Sequence, residues 1–161
     1  MPALPAKKNV DASVTVATVA RGELDVDRLG LLSVGVDHAV GRTGQGLSLR
    51  LARVEVVEGL EDSVALPAAS VDLAFVCDTY HHFEYPRSTL ASLYAAIRPG
   101  GSLVILDFER VPGKSDDWVL EHVRAGKEVF RSEIESAGFR FEREVKVEDL
   151  KENYVLRFRR P

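Results

Sequence analysis

The stretch VDLAFVCDTYHHFEYPRSTLASLYAAIRPGGSLVILDF, residues 71–108, decides the fold of this chain. It opens and closes with nearly continuous apolar runs, at 71–77 and 102–108, which are typical of strands covered on both faces. Between them lies one apolar stripe at helical spacing, formed by Leu90, Leu93, Tyr94 and Ile97. The stripe predicts a helix that ends at Pro99-Gly100-Gly101. Strand, helix and strand with short connections form a βαβ unit, so the two strands are predicted to be parallel.

Three further strands are predicted outside this stretch. The short β-branched run VEVVEG, residues 54–59, ends in glycine and is typical of a strand. FRFEREVKV (139–147) and NYVLRFRR (153–160) alternate apolar and polar residues, and the short connection between them favours an antiparallel pair. The inward-facing residues of the first of these runs are predicted to be Phe139, Phe141, Val145 and Val147.

A helical region precedes the last two strands. Ser115 is predicted to cap a helix that begins DDWVLEHV, and Gly126 is predicted to interrupt it. Its continuation, KEVFRSEIESAG, should end at Gly138. The sequence therefore predicts an α/β fold with a mostly parallel sheet, helices on both faces and an antiparallel strand pair at the C-terminal end.

Residues 1–53 differ in composition from residues 54–161, and we treat them as an atypical N-terminal segment ahead of the α/β domain. All twelve aromatic residues lie from Phe75 onward. VTVATVA (14–20) and LGLLSVGV (29–36) are candidate strands. We expect the segment to supply at most two strands and to leave one edge or face under-covered, which would favour a homodimer because exposed edges invite pairing.

Composition narrows the class of protein. The net charge of −4 argues against nucleic acid or an anionic membrane surface as the main partner. A single cysteine, Cys77, excludes an internal disulfide and fits a reducing compartment. No apolar run approaches the ~20 residues that span a bilayer, and no signal-peptide core follows the N-terminus. We expect a cytoplasmic protein.

Polar side chains follow the predicted strands at their carboxyl ends, where open parallel sheets bind ligands. Glu61 and Asp62 follow the first strand, Asp78 the second, and Asp107 lies at the end of the third. These carboxylates could accept hydrogen bonds from the amine or ribose hydroxyls of a ligand in one crevice. The alternatives are that Glu61 and Asp62 are solvated loop residues and that Asp107 is a cap or a buried partner.

The segment CDTYHHFEYP has several interpretations. Cys77 could be a nucleophile or a small buried cysteine that completes the apolar run. Asp78, His81 and His82 could bind a metal, but adjacent histidines rarely share one ion and the other histidines are distant in sequence, so we predict no metal site. His81 could also be a core histidine hydrogen-bonded to the backbone. The remaining interpretation is a loop that positions a substrate.

Several segments follow one another in a distinctive order: LP…SVDL, DTYHHF, IRPGG, SLVILDF, IESAGF and a closing hairpin. Over residues 54–161 this ordered set resembles the class I S-adenosylmethionine-dependent methyltransferases. The match is strongest with small-molecule members of that family. The resemblance implies a Rossmann-like, seven-stranded sheet and methyl transfer from S-adenosylmethionine to a small-molecule acceptor. It further implies that the cofactor is bound by Gly59, Glu61, Asp62, Cys77 and Asp78, with Glu61 and Asp62 in the loop that contacts adenine.

The resemblance also implies catalytic roles. It puts Asp78 and Tyr80 beside the methyl-donor sulfur and His81 and His82 near the acceptor. Asp78 could favour the sulfonium cation electrostatically. His81 could take a proton from an oxygen or nitrogen acceptor.

Residues 1–53 depart from the family pattern, which has a G-x-G-x-G turn after its first strand and an acidic residue after its second. The stretch LLSVGVDHAVGRTGQG offers Gly35, Asp37, Gly41, Gly44 and Gly46, but their spacing does not match that pattern. In the family, a helix, a strand, another helix and their turns lie between the glycine-rich turn and the strand that corresponds to residues 54–59. These elements need roughly fifty residues, but only seven residues separate Gly46 from Val54. We predict that the front half of the cofactor site is absent or replaced and that S-adenosylmethionine binds weakly or not at all. A non-catalytic binding or interaction protein is the alternative.

Overall fold

The computed structural model describes residues 17–18, 57, 59–148 and 150–161. Its strands are β1 Ala17–Thr18, β2 Val71–Cys77, β3 Ile97–Phe108, β4 Arg140–Glu144 and β5 Asn153–Arg159. Its helices are α1 Pro86–Ala96, α2 Asp117–His122 and α3 Lys127–Ser136, with a 3-10 turn at Tyr80–His82. None of these helices is long and apolar enough to cross a membrane.

The strands form one mixed sheet in the order β1-β2-β3-β5-β4. Strands β2 and β3 are parallel, whereas β1–β2, β3–β5 and β5–β4 are antiparallel. The predicted parallel βαβ unit and the antiparallel C-terminal pair are therefore confirmed. Strand β1 falls within the candidate strand at 14–20. The candidate at 29–36 and most of the one at 54–58 lie outside the described residues.

The boundary between α1 and β3 corrects the sequence prediction. Helix α1 ends at Ala96 rather than at Pro99, and β3 begins at Ile97 rather than at residue 102. Ile97 has extended dihedrals (φ −73°, ψ 136°) and pairs with Val71. It is fully buried. Its burial therefore comes from strand pairing, although its spacing also fits the helical stripe.

The described helices all pack on one face of the sheet. Buried side chains from α1, α2 and α3 share a single core with alternate residues of β2, β3 and β5. The helical members of this core are Leu90, Leu93, Ala96, Val119, Phe130 and Ile134. The opposite face has a separate apolar cluster, formed by Leu73, Val104, Leu106 and Val155. Among the described residues, no helix covers that second face, although helices were predicted on both faces.

The run at 139–147 does not keep one side inward as predicted. Phe139 and Phe141 pack against the helix-side core, whereas Val145 and Val147 pack against the cluster on the opposite face. The reason is that β4 ends at Glu144, so the alternation of the strand no longer sets which way the later side chains point.

Turn residues in the helical region follow the prediction with one exception. Gly126 precedes α3, and Gly138 ends it with φ +100°. Ser115 is not the helix cap: its hydroxyl donates to the carbonyl of Glu109 and accepts from the N–H of Val111 at 2.9 Å. Asp116 occupies the position before α2. Ser115 thus closes the loop that leads into α2 rather than its first turn.

Candidate functional site

The carboxyl end of β2 turns sharply at Asp78, which has φ +48°. Aspartate tolerates this left-handed conformation better than most residues. The N–H of Asp78 still donates to the carbonyl of Leu106 at 2.9 Å, so the turn is fixed to the neighbouring strand. The chain then enters the Tyr80–His82 turn, which begins the candidate site.

The side chain of Asp78 is exposed at this strand end. Its Oδ1 accepts a hydrogen bond of 2.9 Å from Nδ2 of Asn153 on β5. Partial burial raises the pKa of Asp78, and the nearby Asp107 carboxylate raises it further, while His81 and Asn153 act in the opposite direction. The Asn153 contact therefore fixes the orientation of a carboxylate that remains exposed.

Cys77 is exposed, so the interpretation as a small buried cysteine is wrong. Its Sγ lies 3.9 Å from Oδ2 of Asp78. Partial burial, followed by the charges of Asp78 and Asp107, raises the pKa of the Cys77 thiol to about 11. The thiolate is the nucleophilic form, and a raised pKa makes it scarce at neutral pH. This disfavours the nucleophile hypothesis.

His81 and Asp107 form a buried pair beneath the exposed strand end. Nδ1 of His81 lies 2.6 Å from Oδ1 of Asp107, and the backbone N–H of His81 donates to Oδ2 at 3.1 Å. An ionised carboxylate only accepts, so Nδ1 carries the proton and Nε2 is the remaining nitrogen. The interpretation of Asp107 as a buried partner is confirmed. His81 is hydrogen-bonded as a core histidine would be, but to a carboxylate instead of the backbone.

Tyr80 is directed into the core. It is fully buried, and its hydroxyl donates to Oε2 of Glu133 on α3 at 2.9 Å. Its ring packs edge-on against Phe130. Burial, reinforced by the Glu133 carboxylate, raises the pKa of Tyr80. The hydroxyl of Tyr80 is thus occupied on α3 and anchors the turn that carries the two histidines.

His82 meets a histidine that the sequence analysis did not assign to the site. Nε2 of His82 lies 3.3 Å from Nε2 of His122, the last residue of α2. One nitrogen from each of His81, His82 and His122 lies within 4.8 Å of the others. Burial lowers the pKa of His82, as do the two neighbouring histidines. Sequence reasoning missed His122 because it is 40 residues from His82 and has no motif of its own.

Aromatic side chains flank these imidazoles. Trp118 on α2 packs edge-on against Phe108 at a centroid distance of 4.9 Å, and its ring lies 6.3 Å from that of His122. Trp118 is 45% exposed. The exposed indole therefore provides an apolar wall beside His122, whose imidazole can exchange protons or bind metals.

A surface pocket of about 440 Å³ adjoins the predicted adenine loop. It is lined by Leu60, Glu61, Asp62 and Tyr85. Leu60 is 62% and Tyr85 50% exposed, so two apolar surfaces stand beside two exposed carboxylates. This combination suits a flat ligand with amine donors. Sequence reasoning had identified the two carboxylates but not the two apolar side chains. Gly59, the residue before the pocket, is also exposed.

The sequence model of the family described as "Methyltransferase domain" matches residues 10–105, more than half of the chain. This chain belongs to the class I S-adenosylmethionine-dependent methyltransferase family. The motifs quoted above cover only residues 54–161. The family model matches from residue 10 and therefore includes much of the N-terminal segment. The prediction that the glycine-rich turn is absent or replaced concerns residues outside the described part of the structure.

Several solved structures share the fold. A SAM-dependent methyltransferase from Aquifex aeolicus has a TM-score of 0.57 and 24% identity, covering 66% of this chain and 55% of its own. A possible histamine N-methyltransferase from Thermotoga maritima has a TM-score of 0.54 and 18% identity, and the alignment covers 67% of this chain and 65% of that protein. PigF with SAH has a TM-score of 0.56 and 18% identity, and the alignment covers 68% of this chain and 36% of that protein.

These comparisons define the fold and the family. The chain spans less than two thirds of the length of each of these structures. No curated protein matches the chain. The Rossmann-like α/β prediction is confirmed by the sheet and by these neighbours.

Proposed function

We propose that this chain transfers a methyl group from S-adenosylmethionine to a small molecule. The observation that carries the proposal is the pocket beside Glu61 and Asp62, because the family resemblance implies adenine contacts for these two residues. The structure of PigF with SAH, a fold neighbour, supports this class of ligand. S-adenosylmethionine supplies an electrophilic methyl group on a sulfonium centre when bound.

The pocket would hold the adenine. Its ring would lie against the exposed surfaces of Leu60 and Tyr85, and its amine would donate to Glu61 or Asp62. Flat apolar contact provides most of the affinity in such sites, and a few polar groups fix the orientation. The two carboxylates would therefore select for an amino group more than they would increase affinity.

Asp78 would stabilise the positive charge on the methyl-donor sulfur of the cofactor. Its carboxylate is held by Asn153 and by the left-handed turn before any ligand arrives. A preorganised negative charge stabilises a nearby cation without reorganisation at the moment of reaction. Asp78 would therefore favour binding of a sulfonium over its neutral thioether product, which assists turnover.

His81 would handle the proton of the acceptor. Asp107 holds Nδ1 and leaves Nε2 as the proton-accepting nitrogen. A positioned imidazole is an effective base for an oxygen or nitrogen acceptor. The half-exposed Trp118 and its partner Phe108 would line the acceptor side with apolar surface.

Calorimetric titration with S-adenosylmethionine and S-adenosylhomocysteine tests the cofactor site. Binding that is weakened by Asp62→Ala and Tyr85→Ala, but not by Glu84→Ala on the residue next to Tyr85, supports the proposal. Our sequence-based expectation is weak binding, because a few neutral hydrogen bonds of about 0.5–1.5 kcal/mol each must offset the lost freedom of the ligand. Absence of binding at millimolar concentrations would favour the non-catalytic binding or interaction protein instead.

A methyl-transfer assay tests the reaction itself. Methyl-labelled S-adenosylmethionine is incubated with the chain and with pooled small alcohols, thiols and amines. Label in an organic-soluble product supports the proposal. Label found only on protein would contradict a small-molecule acceptor.

A further inference from the structure

Three imidazoles converge from two separate elements. His81 and His82 belong to the turn after β2, and His122 ends α2. The ring centroids lie 4.1 Å apart for His81–His82, 4.8 Å for His82–His122 and 5.1 Å for His81–His122. We propose that these three residues form a binding site for a divalent transition-metal ion, with Zn²⁺ as the best fit. The site goes beyond the proposed function, since metal binding does not depend on S-adenosylmethionine.

The separation between His82 and His122 fits such a site. Zn–N bonds of about 2.0–2.1 Å in tetrahedral geometry place two ligand nitrogens about 3.3–3.4 Å apart. The observed Nε2–Nε2 distance is 3.3 Å. All three nitrogens lie within 4.8 Å of one another. A pair wider than the tetrahedral edge would have to close on metal binding, and the partly buried His82 and the exposed His122 have more room to move than the buried His81.

Asp107 prepares His81 to be a ligand. Metal-binding histidines almost always donate their second ring N–H to a carboxylate or carbonyl, which fixes the tautomer and makes the ligating nitrogen more basic. Nδ1 of His81 contacts Oδ1 of Asp107 at 2.6 Å, and both side chains are buried. Nε2 of His81 is thereby left as the ligating nitrogen. A carboxylate–histidine pair of this kind is the usual support of a metal ligand.

The donor set selects the class of metal. Three neutral imidazoles suit zinc, copper, nickel or cobalt, whereas magnesium and calcium prefer oxygen ligands. Three protein ligands leave one tetrahedral position open, as in catalytic zinc sites. His82 is half-buried and His122 exposed, so this open position would be accessible from solvent beside Trp118.

The open coordination position indicates which methyl acceptors the site would favour. This extension of the proposal rests on the proposed function. A metal-bound hydroxyl or thiol loses its proton to solvent more readily than the free group, because the cation stabilises the anion. With a metal bound, Nε2 of His81 would be a ligand and no longer the base. Acceptors with an oxygen or sulfur atom would then be favoured over amines.

A hydrogen bond between His82 and His122 is the competing explanation of their contact. Only one of the two Nε2 atoms would then carry a proton and donate it, and the other would accept. That explanation predicts no stoichiometric metal binding. The two explanations are therefore separated by direct titration.

Zinc titration of the full chain, purified without a polyhistidine tag and freed of metal by a chelator, tests the site. We expect one Zn²⁺ per chain and no response to Mg²⁺. His82→Ala and His122→Ala, at partly exposed positions that should not disturb folding, are each expected to weaken binding at least about 10-fold. Asp107→Asn, with the ligands intact, is expected to weaken it about 10- to 100-fold. X-ray absorption should show nitrogen neighbours at about 2.0–2.1 Å.

Control variants make the result specific. Glu121→Ala changes the exposed carboxylate next to His122, and Cys77→Ser removes the only thiol; both should leave zinc affinity unchanged. Circular dichroism verifies that every variant is folded. Absence of zinc binding, equal binding by the His82→Ala/His122→Ala double variant, or a sulfur neighbour at about 2.3 Å would overturn the proposal. Failure of S-adenosylmethionine to bind would leave it standing.

Discussion

Nδ1 of His81 lies 2.6 Å from Oδ1 of Asp107, and both side chains are buried. The same carboxylate also accepts the backbone N–H of His81 at 3.1 Å and that of Phe108 at 2.8 Å. One side chain at the end of β3 thus holds the turn that follows β2. Together with the hydrogen bond of Tyr80 to Glu133, this carboxylate fixes the position of the histidine pair.

Replacing Asp107 with alanine should strongly destabilise the fold. The substitution leaves three N–H groups without their acceptor inside the protein. A buried donor left without its acceptor costs about 1–3 kcal/mol, so the three together should cost about 3 kcal/mol or more. Urea denaturation of Asp107→Ala against the unaltered chain measures this loss in the free energy of unfolding.

Asp72→Ala is the matched control for Asp107. Asp72 also lies on a strand and pairs with Arg98 at 2.9 Å, but both side chains are more than a third exposed. Exposed ion pairs contribute about 0–1 kcal/mol. Equal losses in the two variants would mean that the buried pair has no special structural role.

Gly101→Ala should cost more stability than Gly100→Ala. A Cβ at Gly101 would lie 2.6 Å from Cγ2 of Ile97 and 2.7 Å from the carbonyl oxygen of Asp72, so backbone must move. Overpacking costs typically about 1–3 kcal/mol, and a clash with backbone belongs to the upper end of that range. At Gly100 a Cβ has open space, and only its φ of +79° opposes alanine, at about 1–2 kcal/mol. Chemical denaturation of both variants gives the order, and the reverse order would contradict the close approach.

The β2–α1–β3 unit was predictable because its apolar periods and lengths are distinctive. Its internal boundary was not, since a buried isoleucine at position 97 fits both a helical stripe and a strand. The pairing of Ile97 with Val71 decides between them, and that contact joins residues far apart in the sequence. Ser115 is a similar case, because its hydroxyl closes a loop rather than a helix.

The site was predictable only in part. The strand-end position of Asp78 follows from the rule for open sheets. The contact between His82 and His122 depends on how α2 docks above the end of β3, which no local pattern encodes. Tyr80 lies within the same motif as the histidines, yet its side chain joins the core and bonds Glu133. Neighbours in sequence thus face opposite sides of the turn.

Alkylation of Cys77 should be slow at neutral pH despite its exposure. The pKa of this thiol is raised to about 11, first by partial burial and then by Asp78. Because the thiolate reacts, the rate with iodoacetamide should rise with pH until about pH 11, whereas an ordinary cysteine levels off near about 8.5.

Asp78→Asn should accelerate that alkylation at pH 8. The substitution removes a negative charge and a hydrogen-bond partner that both raise the pKa of Cys77, while the burial remains. Asparagine also tolerates the left-handed backbone of this position. Asp62→Asn, in the exposed turn, serves as the control and should not change the rate. A rate profile for Asp78→Asn identical to that of the unaltered chain would show that Asp78 has no influence on the thiol.

Asp78→Asn should also raise the free energy of unfolding at neutral pH. Burial and Asp107 raise the pKa of Asp78 in the folded chain above its unfolded value of about 3.9. The protonated form therefore favours folding below the unfolded pKa, and this contribution is lost as pH rises through the folded pKa. At pH 7 the ionised carboxylate opposes folding, and the neutral amide, which still accepts from Asn153, relieves the cost. Urea denaturation should show a gain that shrinks towards pH 3, while Glu84→Gln stays within about 0.5 kcal/mol throughout. A gain in the free energy of unfolding that is independent of pH, or a loss at pH 7, would contradict the raised pKa. The expected result would mean that the chain keeps a destabilising charge where its proposed ligand binds.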